Sequence, residues 1–417
     1  MSEVRSEPAS TDPWPVLTLS KWEDTRDTLH LWSQVVGKVR LALEPMINHW
    51  WQVPLYVSAR GLTTSLMHVE GRGLELELDF IDHVLLIRTS RGEVREVRLQ
   101  PQSVADFYAA TIAALDDLGI SLQLMARPVE VPEAIPFAAD TELRAYDPDA
   151  AQRFWWALLQ SQRVMHEFRG RFIGKVSPVH FFWGSFDLAV SRFSGRLAPK
   201  HPGGVPNCAD FVQELAYSHE LSSAGFWPGG SEEGSFYSYA YPTPEGFADW
   251  PVAPAAAYFD KDLGEFLLPY QAVRTSADPD AMLLEFLQST YEAAATLAQW
   301  DRAALEAKPM PVGSTGDSKA PEVFDDVPNH RFAYIDDGQV AELIYQLRGD
   351  RFVLVHTEVP DSLGGRGIAG SLVQAAVDRA DREGLTVVPV CRYARMWLRQ
   401  HPDQAARVAI DSTPPQA

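Results

Sequence analysis

The sequence predicts an α+β protein in two parts: a large region of antiparallel meanders and helices, then a small α/β region. Three observations carry this. Between residues 55 and 99, short β-branched and leucine-rich runs follow one another, with Gly61, Gly71, Gly73 and Gly92 at the turns, and a looser series recurs between 179 and 268. Each series leads into a run with apolar residues at helical spacing, over 103–118 and 280–306. Residues 308–322 then hold Pro309, Pro311, Gly313, Ser314, Gly316, Ser318 and Pro321 with little apolar content. Such a composition cannot bury enough surface to order itself and marks a domain boundary.

Residues 1–13 read as a disordered tail and 14–307 as the large α+β domain. Thr28–Leu43 is helical in pattern, with Leu29, Trp32, Val35, Val36 and Val39 on one face. In the first meander Leu74, Leu76 and Leu78 alternate with Glu75, Glu77 and Asp79, which predicts a half-buried strand with an acidic outer face. A helix over Ser103–Leu118, a strand over Ile120–Ala126 and an extended crossing over Pro128–Pro136 follow. Asp147–Phe168 is helical and opens the second series. That series predicts strands at 179–193, 235–241, 255–259 and 264–268, and one long helix over 280–306. The segments from Pro101 and from Pro279 open the two late helices alike, which leaves an internal duplication open. After the flexible linker 308–322 comes a second domain over 323–403, and 404–417 reads as a tail.

At 417 residues the chain exceeds one ordinary domain, and its 46% hydrophobic content supports sizeable cores. A formal net charge of −20 with no basic run argues against nucleic acid as a partner and would suit a cationic acceptor such as an amine. Two cysteines, Cys208 and Cys391, build neither a disulfide framework nor a cysteine zinc site. No run reaches the length of a membrane span, and residues 1–15 lack an apolar signal core, so the expectation is a cytoplasmic protein without a membrane partner.

The most informative stretch is strand, glycine-rich turn, helix. Phe352–Val359 suits a strand, and Gly364-Gly365-Arg366-Gly367-Ile368-Ala369-Gly370 follows after a short loop. Leu372, Val373, Ala376, Val377 and Ala380 then recur at helical spacing until Gly384. Glycines allow close backbone approach, and the free N–H groups of a helix start favour an anion. The turn therefore reads as a pyrophosphate cradle, with an ordinary turn as the competing reading. A P-loop would need a Gly-Lys-Ser/Thr ending, which is missing.

This segment resembles motif A of the Gcn5-related N-acetyltransferases, Gln/Arg-x-x-Gly-x-Gly/Ala. Gly367 and Ala369 match its last two positions; Gly364 departs from the first, and Arg366 offers a positive charge nearby. Residues 324–402 are similar to the short, single-domain members of that superfamily. The resemblance implies acetyl-CoA as co-substrate, held by Val359, Gly364, Gly365, Arg366, Gly367, Ile368, Ala369 and Gly370. It implies Glu358 as the base for the amine, with His356, two residues away on the same strand face, as the alternative. Tyr393 is the implied acid for the departing thiolate. Against these stand a surface carboxylate, a packing histidine and a packing tyrosine. Cys391 reads as a small buried residue. Pro389 inside its strand predicts an edge or a splay, and the superfamily uses a splay to admit pantetheine. The usual helices between the first two strands are replaced by a tight hairpin at Asp337-Gly338, so the acceptor side must be open or supplied from elsewhere.

In the large region, Asn48–Trp51, Ser177–Ala189, Tyr217–Glu220, Gly225–Gly229 and Phe236–Tyr241 are compositionally unusual. Together they resemble a bacterial family known only as a domain of unknown function, over about Trp14 to Leu305, with no activity implied. Tyr237, Tyr239 and Tyr241 share one strand face, which suits either a ligand platform or packing. His180 and His219 belong to the same candidate ligand face. His180, His201, His219 and Glu220 match no metal spacing, so no metal is expected. Arg192 and Arg196 near Asp187 suggest an ion-pair cluster or an anion grip. The resulting expectation is an acetyl-CoA-dependent N-acyltransferase acting on a small-molecule or protein amine, with a large accessory or ligand-binding domain. The alternative is a binding protein whose C-terminal module holds CoA without turnover.

Overall fold

The computed structural model describes residues 13–307, 323–336, 338–360, 363 and 368–411. The expected linker 308–322, residues 1–12 of the expected tail, and Gly364 to Gly367 lie outside the described residues. The chain divides into two compact units, residues 1–308 and 309–417.

In the first unit α1 (Glu23–Leu43) carries acidic Glu23 and Asp24 in its first turn, where they complement the helix dipole. Its apolar stripe is buried, and Trp32 stacks on Phe107 of α2 (Val104–Asp117) with ring centroids 4.7 Å apart. Between these helices run β1 (Tyr56–Val57), β2 (Gly61–Thr63), β3 (Met67–Val69), β4 (Arg72–Asp79), β5 (Val84–Thr89) and β6 (Val94–Arg98). They form an antiparallel sheet in the order β1-β2-β4-β5-β6, with β3 also on β4. The acidic face of β4 is not open to water as its alternation predicts. Glu77 and Asp79 are buried, because Arg88 and Ser58 bond Glu77 and Arg60 bonds Asp79. Burial of carboxylates becomes tolerable when such partners are supplied.

The strand expected over 120–126 forms no ladder; Gln123 and Met125 instead line a cavity. α3 (Pro148–Gly170) starts where predicted, with the Asp147 carboxylate capping the N–H groups of Asp149 and Ala150 and Pro148 in the first turn. The second sheet takes β7 (His180–Phe182), β8 (Asp187–Leu197), β9 (His219–Trp227) after the short α4 (Asp210–Ala216), β10 (Ser235–Tyr241), β11 (Tyr258–Asp260) and β12 (Glu265–Pro269). Its order is β11-β12-β10-β9-β8-β7, antiparallel throughout. The short α5 (Tyr270–Arg274) and α6 (Pro279–Leu297) follow. The long helix expected to reach residue 306 stops at Leu297: Gln299 is left-handed and the Trp300 N–H bonds back to Ala295, so the chain turns before α7 (Arg302–Leu305). Each half of the unit thus reads long helix, six-stranded antiparallel sheet, helix.

Strand β8 divides the second half. Arg192 is 1% exposed and faces the helices, with its guanidinium carbon 3.4 Å from the Phe168 ring centroid and 4.3 Å from that of Tyr291. It donates to the Phe168 carbonyl, and burial lowers its pKa to about 9. Asp187, five residues earlier, necessarily lies on the other face. The expected cluster of Asp187 with Arg192 and Arg196 is therefore corrected; Arg196 pairs with Glu220 instead.

The second unit holds β13 (Phe324–Asp326), β14 (Arg331–Asp336), β15 (Gln339–Arg348), β16 (Arg351–Glu358), α8 (Ile368–Glu383), β17 (Thr386–Pro389), α9 (Arg392–Gln400) and α10 (Pro402–Ala405). The sheet runs β13-β14-β15-β16-β17, antiparallel except for the parallel β16–β17 pair. β14 and β15 pair antiparallel up to Asp336 opposite Gln339, while Asp337 of the expected turn lies outside the described residues. Phe332, Tyr334, Leu343, Tyr345, Phe352 and Leu354 share a core with α8 and α9. Arg379 of α8 ties that core to two strands by donating to Asp325 at 2.8 Å and to the Tyr345 hydroxyl at 2.7 Å. Residues 404–411, expected as tail, are held instead: the Val387 N–H donates to Ala409 and the Asp411 N–H to Val387. The free outer edge of β17 provides these partners.

Arg192→Ala should lower the stability of the first unit by about 3 kcal/mol, since it leaves a void between two rings and takes one of its two donors from the Phe168 carbonyl, which keeps the Arg171 N–H. Urea unfolding of the full chain followed by tryptophan fluorescence reads this, because the tryptophans are concentrated in that unit.

Candidate functional sites

The end of β16 organises the candidate site of the second unit. Ile344 pairs with His356 but Tyr345 pairs with Leu354, so Val355 is an extra residue bulging from β16. Beyond the bulge His356 and Glu358 face the side away from α8, with Nε2 and Oε2 3.9 Å apart and side chains 61% and 70% exposed. Glu358 lies directly opposite Glu342, which Arg331 bonds at 2.7 Å. Thr357 faces the other way, and its Oγ1 is 3.3 Å from the Cys391 Sγ.

The β16–β17 ladder ends at Leu354 and Pro389, and the last four residues of β16 continue without a β17 partner. Proline cannot donate to a ladder, which accounts for the divergence. β17 is also at the sheet's edge, as Pro389 predicts. At the divergence Cys391 begins α9. Burial alone would raise its thiol, but the contact with Thr357 and the N–H groups of Ala394 and Tyr393 outweigh that and lower it. Ile368, Ala369 and Gly370 form the first turn of α8. A Cβ on Gly370 would lie 3.1 Å from the Trp397 indole nitrogen and 3.8 Å from the Tyr393 hydroxyl. The start of α8 and the start of α9 thus abut. Among the residues singled out in this unit, the structure brings Tyr393 to the first turn of α8 and His356 to Glu358. Val359 packs against the core at the end of β16, and Gly364 to Gly367 lie outside the described residues.

The first unit holds a cavity of about 800 Å³ on the face of the second sheet opposite Arg192. Tyr237 and Tyr239 line it with near-parallel rings 6.0 Å apart. The Tyr237 hydroxyl donates to one oxygen of Asp187 and the Ser185 hydroxyl to the other. The Tyr237 ring crosses Gly225, where a Cβ would fall 2.4 Å from the hydroxyl. Tyr239 shares a 2.8 Å hydrogen bond with Tyr217. His180 also lines the cavity; it is 1% exposed, burial lowers its pKa to about 3, and its Nδ1 has no hydrogen-bond partner.

Two members of the expected ligand face lie off the wall. Tyr241 sits beside Tyr217 and His201 and donates to the Pro199 carbonyl. His219 packs edge-on to His49, behind the lining. His180, His201, His219 and Glu220 are not gathered, and no group of metal-ligating side chains occurs among the described residues. No described helix is long and apolar enough to cross a membrane.

Four charged groups of the cavity escape sequence reading or are misplaced by it. Asp187 is buried and its carboxyl raised by desolvation. Burial, with the neighbouring Asp187, pushes Glu130 up to about 7. The same causes, with Asp260, push Glu265 up to about 7. Lys38 is 2% exposed, and burial lowers it. The phase of Asp187 with Ala189, Ser191 and Phe193 on β8 marks it in the sequence. Glu130 has no such signal, because it comes from an irregular segment.

Residues 331–408 match the Gcn5-related N-acetyltransferase family. The chain is also 43% identical over 63 residues to Protein NATD1 from Gallus gallus and from Homo sapiens, and 38% identical over 63 residues to Protein NATD1 from Danio rerio. These matches cover 15% of this chain and 57%, 56% and 57% of the relatives, so the chain spans little over half of their length. Residues 14–307, most of the chain, match the family of unknown function DUF5996. The chain therefore belongs to the DUF5996 family, and a unit of Gcn5-related N-acetyltransferase type follows its family domain.

Proposed function

We propose that the second unit is an acetyl-CoA-dependent N-acyltransferase acting on an amine. The observation that carries the reading is the convergence of the β16–β17 divergence, the first turn of α8 and Tyr393 within the matched segment. The divergence would admit an amide-bearing pantetheine arm between the two strands. The glycine turn and Ile368 to Gly370 would hold the pyrophosphate, with helix N–H groups meeting its charge. The bound acetyl-CoA supplies the thioester carbonyl that the amine attacks.

The residues of the chain then have separable tasks. Glu358 accepts the proton of the attacking amine, directly or through one water, with His356 beside it as the alternative base. The N–H of Val359 polarises the carbonyl oxygen. The Tyr393 hydroxyl donates a proton to the departing thiolate. Cys391 is a weaker candidate for covalent chemistry, since its sulfur is buried against Thr357. A second reading, CoA binding without turnover, draws on the strong exposure of Glu358 and His356, which leaves both groups in water.

Calorimetry should detect CoA binding to the full chain, and Gly367→Asp should abolish it by placing a carboxylate against the pyrophosphate. Failure of the wild-type chain to bind CoA would overturn both readings. Glu358→Gln should reduce acetyl transfer across an amine panel by about a hundredfold while leaving CoA affinity unchanged. Tyr393→Phe should lower kcat by about tenfold or more with little effect on KM. CoA binding without measurable transfer by the wild-type chain would favour the second reading.

A further inference from the structure

The cavity of the first unit is a built polar site that packing alone does not explain. Asp187, Glu130 and Glu265 reach it from three different elements, and Lys38 is the cation among its lining side chains. Lys38 does not neutralise them by contact: its Nζ lies 3.8 Å from the Met125 sulfur and 5.3 Å from the Trp183 ring centroid, with no carboxylate within ion-pair distance among the described residues. Asp187 has one donor on each oxygen. The Glu130 and Glu265 carboxylates have no hydrogen-bond donor among the described residues. Desolvated carboxylates without partners are costly, and both are accordingly raised to about 7.

The backbone is also held in costly conformations around the same space. His49, Trp50, Glu130 and Asn207 line the cavity with φ of 58°, 62°, 61° and 53°, in the left-handed region that non-glycine residues avoid. The Glu130 carboxylate lies close over Gly184, where a Cβ would fall 2.3 Å from its Oε1. Independently, the buried Nδ1 of His180 lacks a partner at the cavity wall. The remaining lining is mostly apolar and mixes aliphatic side chains with rings, among them Trp50, Trp51, Phe182, Trp183, Tyr237 and Tyr239.

We propose that this cavity binds a small organic ammonium ion whose N–H groups face Glu130 and Glu265 and whose apolar body lies among the rings. Three carboxyl groups against one amine repel an anion. A neutral apolar ligand would leave two desolvated carboxyls without donors. A quaternary ammonium would gain the ring faces but could donate no hydrogen bond. A protonated primary amine satisfies both demands, and charge-assisted hydrogen bonds are the strong ones. The volume, about 800 Å³, is that of a small-molecule site. The site lies wholly in the first unit and is independent of the acyltransferase reading.

The test is calorimetry on the full chain with butylammonium, 2-phenylethylammonium and tryptammonium, against 2-phenylethanol, phenylacetate and tetramethylammonium. At least one primary ammonium should bind at least about tenfold more tightly than its neutral, anionic or quaternary counterparts. Glu265→Gln and Glu130→Gln should each weaken that binding by about ten- to a hundredfold, with circular dichroism confirming that each variant is folded. Glu358→Gln should leave it unchanged, which separates this site from the other unit. No binding by any of the three amines, equal binding of 2-phenylethanol, or binding that survives both cavity variants would overturn the proposal.

Discussion

The alternation of side chains along β8 is the constraint on which the first unit depends. Residues of one parity, Leu188, Val190 and Arg192, close the side packed by helices. Residues of the other, Asp187, Ala189, Ser191 and Phe193, open onto the cavity. One strand therefore divides a dry core from a polar recess. A cation stays on the first side because aromatic faces and a carbonyl receive it. A carboxyl stays on the second because Tyr237 and Ser185 donate to it. A slip of one residue would exchange the two groups and leave each among the wrong partners.

The second unit rests on a different device. Its sheet remains closed only up to Leu354 and Pro389. A bulge at Val355 and a proline in the neighbouring strand end the pairing where the chain turns toward α8. The divergence places the strand end, two helix starts and the Tyr393 hydroxyl around one region. Such a site is inexpensive in sequence, because most of its parts come from one continuous stretch of about forty residues.

That difference explains what could be read in advance. Periodicity reveals α1, α2, α3 and most strands, since each buries one face of a regular element. The glycine-rich turn, Glu358 and Tyr393 lie close together in sequence, so the acyltransferase-type unit is legible as a motif. The cavity is not, because Lys38, Glu130, Asp187 and Glu265 come from four distant segments and meet only after folding. Strand parity does place Tyr237 with Tyr239, but it also places Tyr241 there, and the structure sends that ring to Pro199 and His201. The long helix expected to reach 306 fails because a left-handed Gln299 carries no sequence mark. The acidic face of β4 misleads because its arginine partners lie on other strands and turns.

The recess beside β8 is proposed to hold a protonated amine. A crystal structure of the full chain soaked with 2-phenylethylammonium tests it most directly. The ring should lie among the tryptophan and tyrosine faces and the nitrogen about 3 Å from an oxygen of Glu130 or Glu265. A nitrogen turned away from all three carboxyl groups, or an empty cavity at saturating amine, would contradict it.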